Sequence, residues 1–561
     1  MGCQIHEGEG FTFFYLEGNW YSMGLFFGQA LKTRLQGSPL EYYLGNHRRV
    51  LNHALQGYPK LLRILSRWAI KYLLLLPVAL GTYKGDRDFL KGVAHGLGIP
   101  SLDLRFTYSS ADALNFLASF LTKLSRTAIP QVPVACSSFV AWGEATQDGS
   151  LYHGRNLDFT GGPRWSRKQI VIVLKPSQGI PSITVSGDGV YIPGVSSTNA
   201  EGLTMSLHLN FTRDINLLGR NILTLASKTI SQARNLEDAV EILSNKRRIS
   251  GWTFILSHAP SKKGLLLELS GNRSAKVEDE KDWLVYSNCY LSQHLRETEY
   301  APTYTWVEDN YSRYYRLRSL LQEYRGSLDP ALGTKILGDR LDITCQKEPA
   351  LGYGVSAMAN VSSVLFCPEK DRLWMALGPI PPNGAGRYIG LSLGDLFDGK
   401  APTILEEYPG NPLPQAKRAS IEHYAEALRL WDEEMDLKGA LQAINQAIKI
   451  QGIDKEPLFF MVRGLLLAKA GKYESAQEDF QGVLNSFLSP YRKAQALLWT
   501  GRLADLRRKR REALEIYREV LSRSSWLDIT RAAWQGIKKP YSITLLKRMD
   551  VAPLMADYID Y

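Results

Sequence analysis

The sequence predicts an α+β fold: two packed β-sheets with helices outside them, followed by a separate all-helical region. Three observations carry that prediction. From Ser137 onward, short β-rich runs alternate with turn residues, and helical stretches interrupt them only near 219–245 and 307–325. Before that, residues 1 to about 130 read mostly as helix, and after the Pro-, Gly- and Asn-rich stretch "YPGNPLPQ" at 408–415 every segment has helical spacing. A chain of 561 residues also exceeds one ordinary core, which calls for two or more domains.

The N-terminal helices are marked by "GNWYSMGLFFGQALKTRLQ", with apolar residues at helical spacing and glycines at 18, 24 and 28, and by "FLKGVAHGLGIPSLDL", which ends on Gly and Pro signals. Between them, "WAIKYLLLLPVAL" is too short to span a bilayer and contains Lys71 and Pro77, so a buried helix or an apolar lid is expected and no transmembrane segment. "MGCQIHEGEG" has neither the basic nor the apolar region of a signal peptide, and His6 stands where a myristoylation site has Ser or Thr. A lipidated start at Cys3 is the minor alternative.

An apolar fraction of 45% and a charged fraction of 22% are those of a globular protein. The formal charge of +11 admits an anionic partner, but Lys and Arg are scattered, and no nucleic-acid motif is present. The five cysteines are Cys3, Cys136, Cys289, Cys345 and Cys367, an odd and small number with no zinc spacing; neither a disulfide framework nor a metal is expected, and a cytoplasmic, reducing location is.

The β-rich part opens on "CSSFVAWGEATQDGSLYHGRNLDF", residues 136–159. Read as a two-residue turn at Asp148-Gly149, this hairpin sets Cys136 opposite Gly161 and Ser138 opposite Phe159. Arg155 and Asp158 then return beside the cysteine. Their opposite parity would point them to opposite faces of a regular strand, so one of them needs a bulge or a strand end to share a site with the other. Taken alone, Cys136 reads as a buried thiol, Arg155 and Asp158 as an ion pair, Asn199 as a turn residue before Glu201-Gly202, and Asn288 as a strand-end cap. His153, His208 and His258 fall in strands and are assigned no chemistry.

In the helical region, Gly464, Ala476 and Phe480 have counterparts in Gly501, Ala513 and Tyr517, each 37 residues on, and Ala440 and Ile444 lie one repeat earlier. Small residues here let paired helices approach while the aromatic fills the gap. The pattern resembles tetratricopeptide repeats, with a period slightly longer than the usual ~34 residues. Such hairpins serve either to bind a protein partner or to cap the first domain.

The ordered set of motifs resembles the N-terminal-nucleophile hydrolases of the choloylglycine hydrolase and penicillin acyltransferase-like group. Besides the Cys136 hairpin with Arg155 and Asp158, "STNAEGLTMS" resembles that group's Asn-x-x-Gly-Leu element and places Asn199; "VYSNCY" places Asn288; "YSRYYRL" places Arg313. "GNWYSMGLFFGQAL" resembles the Gly-rich helix of the proenzymes, and "SSVLFCPEKDRLWMALG" their closing hairpin. The resemblance covers roughly residues 11–395.

The resemblance implies a four-layer αββα sandwich and self-cleavage between Ala135 and Cys136. Residues 1–135 would form a helical prosegment, 136–407 the catalytic part, 408–415 a linker, and 416–561 the repeats. Cys136 would then carry both the nucleophile and, in its α-amine (pKa about 7.7–8.0), the base for its thiol (pKa about 8.5). Asp158 would hold that amine, Arg155 would lower the thiol pKa, and Asn199 and Asn288 would donate to the oxyanion. Arg313 would balance charge or meet a polar substrate group. The implied activity is amide hydrolysis or N-acyl transfer on a linear N-acyl amide through an acyl-thioester. No metal or organic cofactor is required; acyl-coenzyme A is one candidate co-substrate. Cys289, following Asn288, departs from the group's pattern. The reading of another class is an inactive scaffold whose helical repeats do the work.

Overall fold

The computed structural model describes residues 2–125, 135–161, 164, 168–278, 282–378 and 382–560. Residues 126–134, expected at the end of the prosegment, lie outside the described residues.

Strands β1 (Gln4–Gly8) and β2 (Phe11–Gly18) open the chain. Helices α1 (Trp20–Lys32), α2 (Pro39–Ala54), α3 (Lys60–Ala69), α4 (Leu76–Leu80), α5 (Lys84–Leu97) and α6 (Ser101–Ser125) come next. Most of this stretch is helical, as expected, and the two paired strands before it add to that expectation. "FTFFYLEG" shows no alternation because β2 is buried on both faces: Phe11, Phe13 and Tyr15 pack on one side, Phe14 and Leu16 on the other. The glycines of α1 have a packing reason. A Cβ on Gly24 or Gly28 would collide with the carbonyl of Phe89 or Val93, so α1 and α5 touch backbone to backbone.

The next strands are β3 (Cys136–Gly143), β4 (Gly149–Asp158), β5 (Gln169–Pro176), β6 (Ser182–Gly187), β7 (Ser196–Asn199) and β8 (Leu203–Asn210). After them come β9 (Gly251–His258), β10 (Lys263–Leu269), β11 (Ser274–Val277), β12 (Trp283–Tyr286), β13 (Asn360–Cys367), β14 (Arg372–Leu377), β15 (Arg387–Ser392) and β16 (Glu406–Tyr408). One sheet runs β1-β2-β5-β6-β7-β8-β9-β10-β11; the other runs β12-β3-β4-β13-β14-β15-β16. β2 and β5 pair in parallel, which the long crossover through α1–α6 permits.

The sheets face each other through alternate residues. Phe13, Val171 and Ile183 of one meet Phe366, Met375 and Ile389 of the other. The outer face of the first sheet, with Phe14, Ile172 and Leu207, packs on α1, α5 and the helix Ile222–Gln232. The outer face of the second, with Phe139, Leu365 and Trp374, packs on the helices Tyr304–Glu323 and Pro330–Leu337. The layers are therefore helix, sheet, sheet, helix.

The β3–β4 register differs from the expected one. Cys136 pairs with Leu157 and Ser138 with Arg155, and Gly143 with Gly149 after an irregularity. Asp148 is not a turn centre. Its carboxylate accepts from the Ser150 N–H at 3.0 Å, and Thr146 Oγ1 donates to the Ser150 carbonyl at 3.0 Å, which closes a longer loop.

After residue 415, helices pair in sequence: Gln415–Asp432 with Leu437–Ile450, Pro457–Lys469 with Tyr473–Leu484, and Pro490–Leu506 with Arg510–Arg523. A Cβ on Gly464 would sit 3.0 Å from the Phe480 ring, and one on Gly501 2.8 Å from the Tyr517 ring, so each small residue admits its aromatic. The strands Asp550–Ala552 and Asp557–Ile559 lie back on these helices. Trp431 Nε1 donates to the Val551 carbonyl at 3.0 Å, Tyr424 OH to that of Pro553 at 2.7 Å, and Arg492 to those of Met555 and Ala556 at 2.7 and 2.9 Å. The helices also meet the sandwich: Tyr42 OH donates to Asp432 at 2.5 Å, Arg164 pairs with Glu433 at 2.6 Å, and Glu456 accepts from the Ala350 N–H at 2.7 Å.

Candidate active site

Cys136 begins β3 and is 1% exposed. Its backbone N–H donates to Asn288 Oδ1 at 2.8 Å, and its carbonyl accepts from Arg313 Nη1 at 2.6 Å. On the other side of the Ala135–Cys136 bond, the Ala135 carbonyl accepts from the Asp158 backbone N–H at 3.0 Å. Asn288 is brought there by β12, which pairs with β3 so that Tyr286 lies opposite Ser138 and the chain then runs past the cysteine.

Arg313 is buried on the helix Tyr304–Glu323. It pairs with Asp309, one turn earlier, at 2.7 Å, and also donates to Asn310 Oδ1 at 2.7 Å and Ser137 Oγ at 3.1 Å. Burial alone would disfavour its charge, but Asp309, then Asp158 and Cys136, more than offset this, so it is held protonated.

Arg155 points between the sheets, where Nη2 donates to the Leu207 carbonyl at 2.7 Å and Nη1 to His208 Nε2 at 3.2 Å. A guanidinium only donates, so Nε2 of His208 is an acceptor and its proton sits on Nδ1. Burial, with the charges of Arg155 and Arg313, keeps His208 neutral, and Ser138 Oγ joins the same Nε2 at 2.9 Å.

Asp158 meets the parity problem in two ways. It is the last residue of β4, and it pairs with Asn360 just beyond a register shift between Asn360 and Ser362. Its carboxylate accepts from Asn360 Nδ2 at 3.2 Å. Burial pushes its pKa up to about 7, with Arg313 pulling down and Asp309 pushing up. The Cys136 thiol is likewise raised by burial, while Arg155 pulls it down, Asp158 raises it and Arg313 pulls it down.

The thiol opens on an apolar cavity of about 70 Å³ lined by Tyr43, Phe159, Ile192, Val195, Leu207, Leu209 and Trp252, with Arg155, Asn46 and Ser110 as polar members. It lies among α2, α6, β8 and the ends of β3 and β4.

Asn199 is not brought to this cluster. It ends β7 at the turn into Leu203, whereas Leu207 and Leu209, the cavity residues of β8, are four and six positions along that strand, roughly 14 and 20 Å away at strand rise. Its hydrogen bonds are spent locally: Nδ2 on the carbonyls of Ile230 and Ala233, Oδ1 on the N–H groups of Glu201 and Leu203. The turn reading accounts for it. Asn288 also differs from an oxyanion donor as placed, because its Nδ2 donates to the Leu209 carbonyl at 2.9 Å and its Oδ1 faces the Cys136 nitrogen. Three residues at the site carried no sequence signal of their own: His208, Asp309 and Asn360. Asp309 stands four before Arg313, a spacing from which an ion pair can be inferred.

Residues 145–379 match the family model described as acyl-coenzyme A:6-aminopenicillanic acid acyl-transferase. The match supports an amidase or acyltransferase of the N-terminal-nucleophile type. It contains Arg155, Asp158, Asn199, Asn288 and Arg313 and begins downstream of Cys136. An uncharacterized protein of Archaeoglobus fulgidus is 25% identical over 228 residues, which cover 36% of this chain and 37% of that protein. The similarity thus spans little more than a third of that relative. A solved Caenorhabditis elegans ortholog of N-acylethanolamine-hydrolyzing acid amidase is similar at a TM-score of 0.30 and 16% identity, covering 42% of this chain and 93% of that one.

Proposed function

We propose that the protein is a self-cleaving cysteine amidohydrolase or N-acyltransferase acting on a linear N-acyl amide, with Cys136 as nucleophile. The observation that carries this reading is the pair of hydrogen bonds across one peptide bond: Asp158 N–H on the Ala135 carbonyl and Asn288 Oδ1 on the Cys136 nitrogen. The first polarises the carbonyl that the thiol would attack; the second holds the nitrogen that would leave. In the cleavage step, Sγ bonds the Ala135 carbonyl carbon, the C–N bond breaks, and the nitrogen takes the thiol proton. Water then hydrolyses the thioester, leaving the Ala135 carboxylate and a free α-amine on Cys136.

The same groups would then serve turnover. The α-amine, held by Asn288 Oδ1 and beside Asp158, takes the thiol proton as Sγ attacks the substrate carbonyl and returns it to the leaving amine. Arg155 and Arg313 favour the thiolate against the cost of burial. The cavity walls of Leu207, Leu209, Ile192 and Trp252 suit an apolar acyl group. Water or an amine collects the acyl-thioester, and no cofactor enters these steps. The tetratricopeptide-like helices act here as a cap on the sandwich, a role that the Tyr42–Asp432 and Arg164–Glu433 contacts support.

Intact mass measurement under denaturing conditions tests the reading. Wild type is expected as two chains, 1–135 and 136–561, and Cys136→Ala as one. A single full-length chain in wild type removes the α-amine and with it the mechanism.

A further inference from the structure

We propose that α3 and the turn after it form a docking surface for an anionic lipid bilayer. A helix of a globular domain normally turns its apolar stripe inward. In α3, "KLLRILSRWA", the stripe points out: Leu61, Leu65 and Trp68 are 69%, 55% and 57% exposed, Leu62 and Ile64 are exposed beside them, and none of its residues is buried. The basic residues flank this stripe: Lys60 and Arg67 are exposed, Arg67 donating to Asn52 Oδ1 at 2.6 Å, and Arg63 is half-buried.

A π-turn anchors the segment. This turn, Ile70–Leu75, sends Leu74 and Leu75 inward against Phe106 and Ala113 of α6, while Tyr72 and Leu73 stay exposed. Leu217 packs on the same cluster, and its neighbour Leu218 is 92% exposed. The outward apolar residues are thus fixed in place on a packed base. α6 also carries Ser110 and Ala111 of the Cys136 cavity, so a bilayer docked here would lie against a helix that walls that cavity.

Charge selects the partner. Residues 42–85 contain seven Lys and Arg and no Asp or Glu, among them Lys60, Arg63, Arg67 and Lys71 around the apolar stripe. Of these, Lys71 is partly neutralised by Asp103 at 3.9 Å. An acid-free basic border around Leu and Trp is the composition of an interfacial helix, whose apolar face enters the headgroup boundary while its cations meet anionic lipid. A second copy of the chain would set two such borders against each other and repel. The ten residues of α3 lie on a bilayer and do not cross it, and no helix among the described residues is long and apolar enough to do so.

The test is flotation of the full chain with phosphatidylcholine vesicles, with and without phosphatidylserine, at low and high salt; it needs no turnover and so stands apart from the reaction at Cys136. Wild type is expected to float with the anionic vesicles, and to do so less with neutral vesicles or at high salt. Leu61→Gln/Leu65→Gln/Trp68→Gln should lose binding at least tenfold on the order of three buried apolar side chains, with an unchanged melting temperature because these side chains are exposed. Lys60→Glu should weaken only the anionic-lipid component. Absence of wild-type binding, or equal binding by the triple variant, overturns the proposal. So does a vesicle-free wild-type dimer that the triple variant converts to monomer, which would make the surface a contact between copies.

Discussion

Asn288 Oδ1 accepts the Cys136 N–H at 2.8 Å while its Nδ2 is anchored on the Leu209 carbonyl at 2.9 Å. One amide therefore joins β8 of the first sheet to the start of β3 in the second and fixes the orientation of the Ala135–Cys136 bond. An oxygen facing this nitrogen also suits a free amine, which offers it a proton, so the contact survives cleavage in kind.

Asn288→Ala removes that acceptor and should slow self-cleavage by about 10²-fold, the scale of a misplaced reacting group. Asn199→Ala should behave oppositely. It frees two carbonyls at the end of the helix Ile222–Gln232 and two N–H groups at the β7–β8 turn, which costs ~1–3 kcal/mol of stability, yet leaves cleavage near the wild-type rate. Time-resolved intact mass and urea denaturation separate the two. Equal cleavage by Asn288→Ala and wild type would remove Asn288 from the site.

Arg313 bridges Asp309, Asn310, Ser137 and the Cys136 carbonyl through one planar fork. Arg313→Met leaves the Asp309 carboxylate buried and unpaired and should cost ~3–5 kcal/mol. Arg313→Lys retains a charge for Asp309 but cannot reach all four partners. It should recover much of the stability, by urea midpoint, and little of the cleavage rate. Recovery of both would mean that the fork geometry is irrelevant.

How far these features were legible depends on sequence distance and on what a motif means physically. Cys136, Arg155 and Asp158 were readable because a short hairpin brings them together, although the longer Thr146–Asp148 loop moved the partner of Cys136 to Leu157. Asn288 and Arg313 come from elements 150 and more residues away and were readable only as motifs. Asn199 failed because Asn-x-x-Gly-Leu is also what a tight turn requires: Asn199 Oδ1 caps Glu201 and Leu203, and Gly202 takes φ +80°. β2 was missed because a strand buried on both faces lacks alternation. The Gly464–Phe480 and Gly501–Tyr517 pairs were readable because size complementarity repeats with the helices.

Arg155 is the strongest of the charges that lower the Cys136 thiol against burial. Arg155→Gln should therefore move the thiol further up, and the pH profile of Cys136 alkylation should shift to higher pH. Alkylation read out by peptide mass, with circular dichroism as the folding control, reports this directly. An unshifted profile in a folded variant would assign Arg155 to the Leu207 and His208 contacts alone.

The helical region should come loose from the sandwich at alkaline pH, because of His53. Its Nδ1 faces Asp550 Oδ1 at 3.1 Å and its Nε2 the Asp432 carbonyl at 3.0 Å, so both ring nitrogens meet acceptors and both must carry protons. Burial works against that charge, but Asp550 and Asp432 outweigh it and lift the pKa to about 9. An unfolded histidine titrates at ~6.5, so the contribution, on the order of 3 kcal/mol, is fully present below that pH and is lost as pH rises through about 9. Denaturation measured from about pH 6 to about pH 10 should show wild type losing stability across this window, with His53→Gln starting lower and staying flat. Parallel curves for the two proteins would show that the imidazolium does not hold the helices to α2.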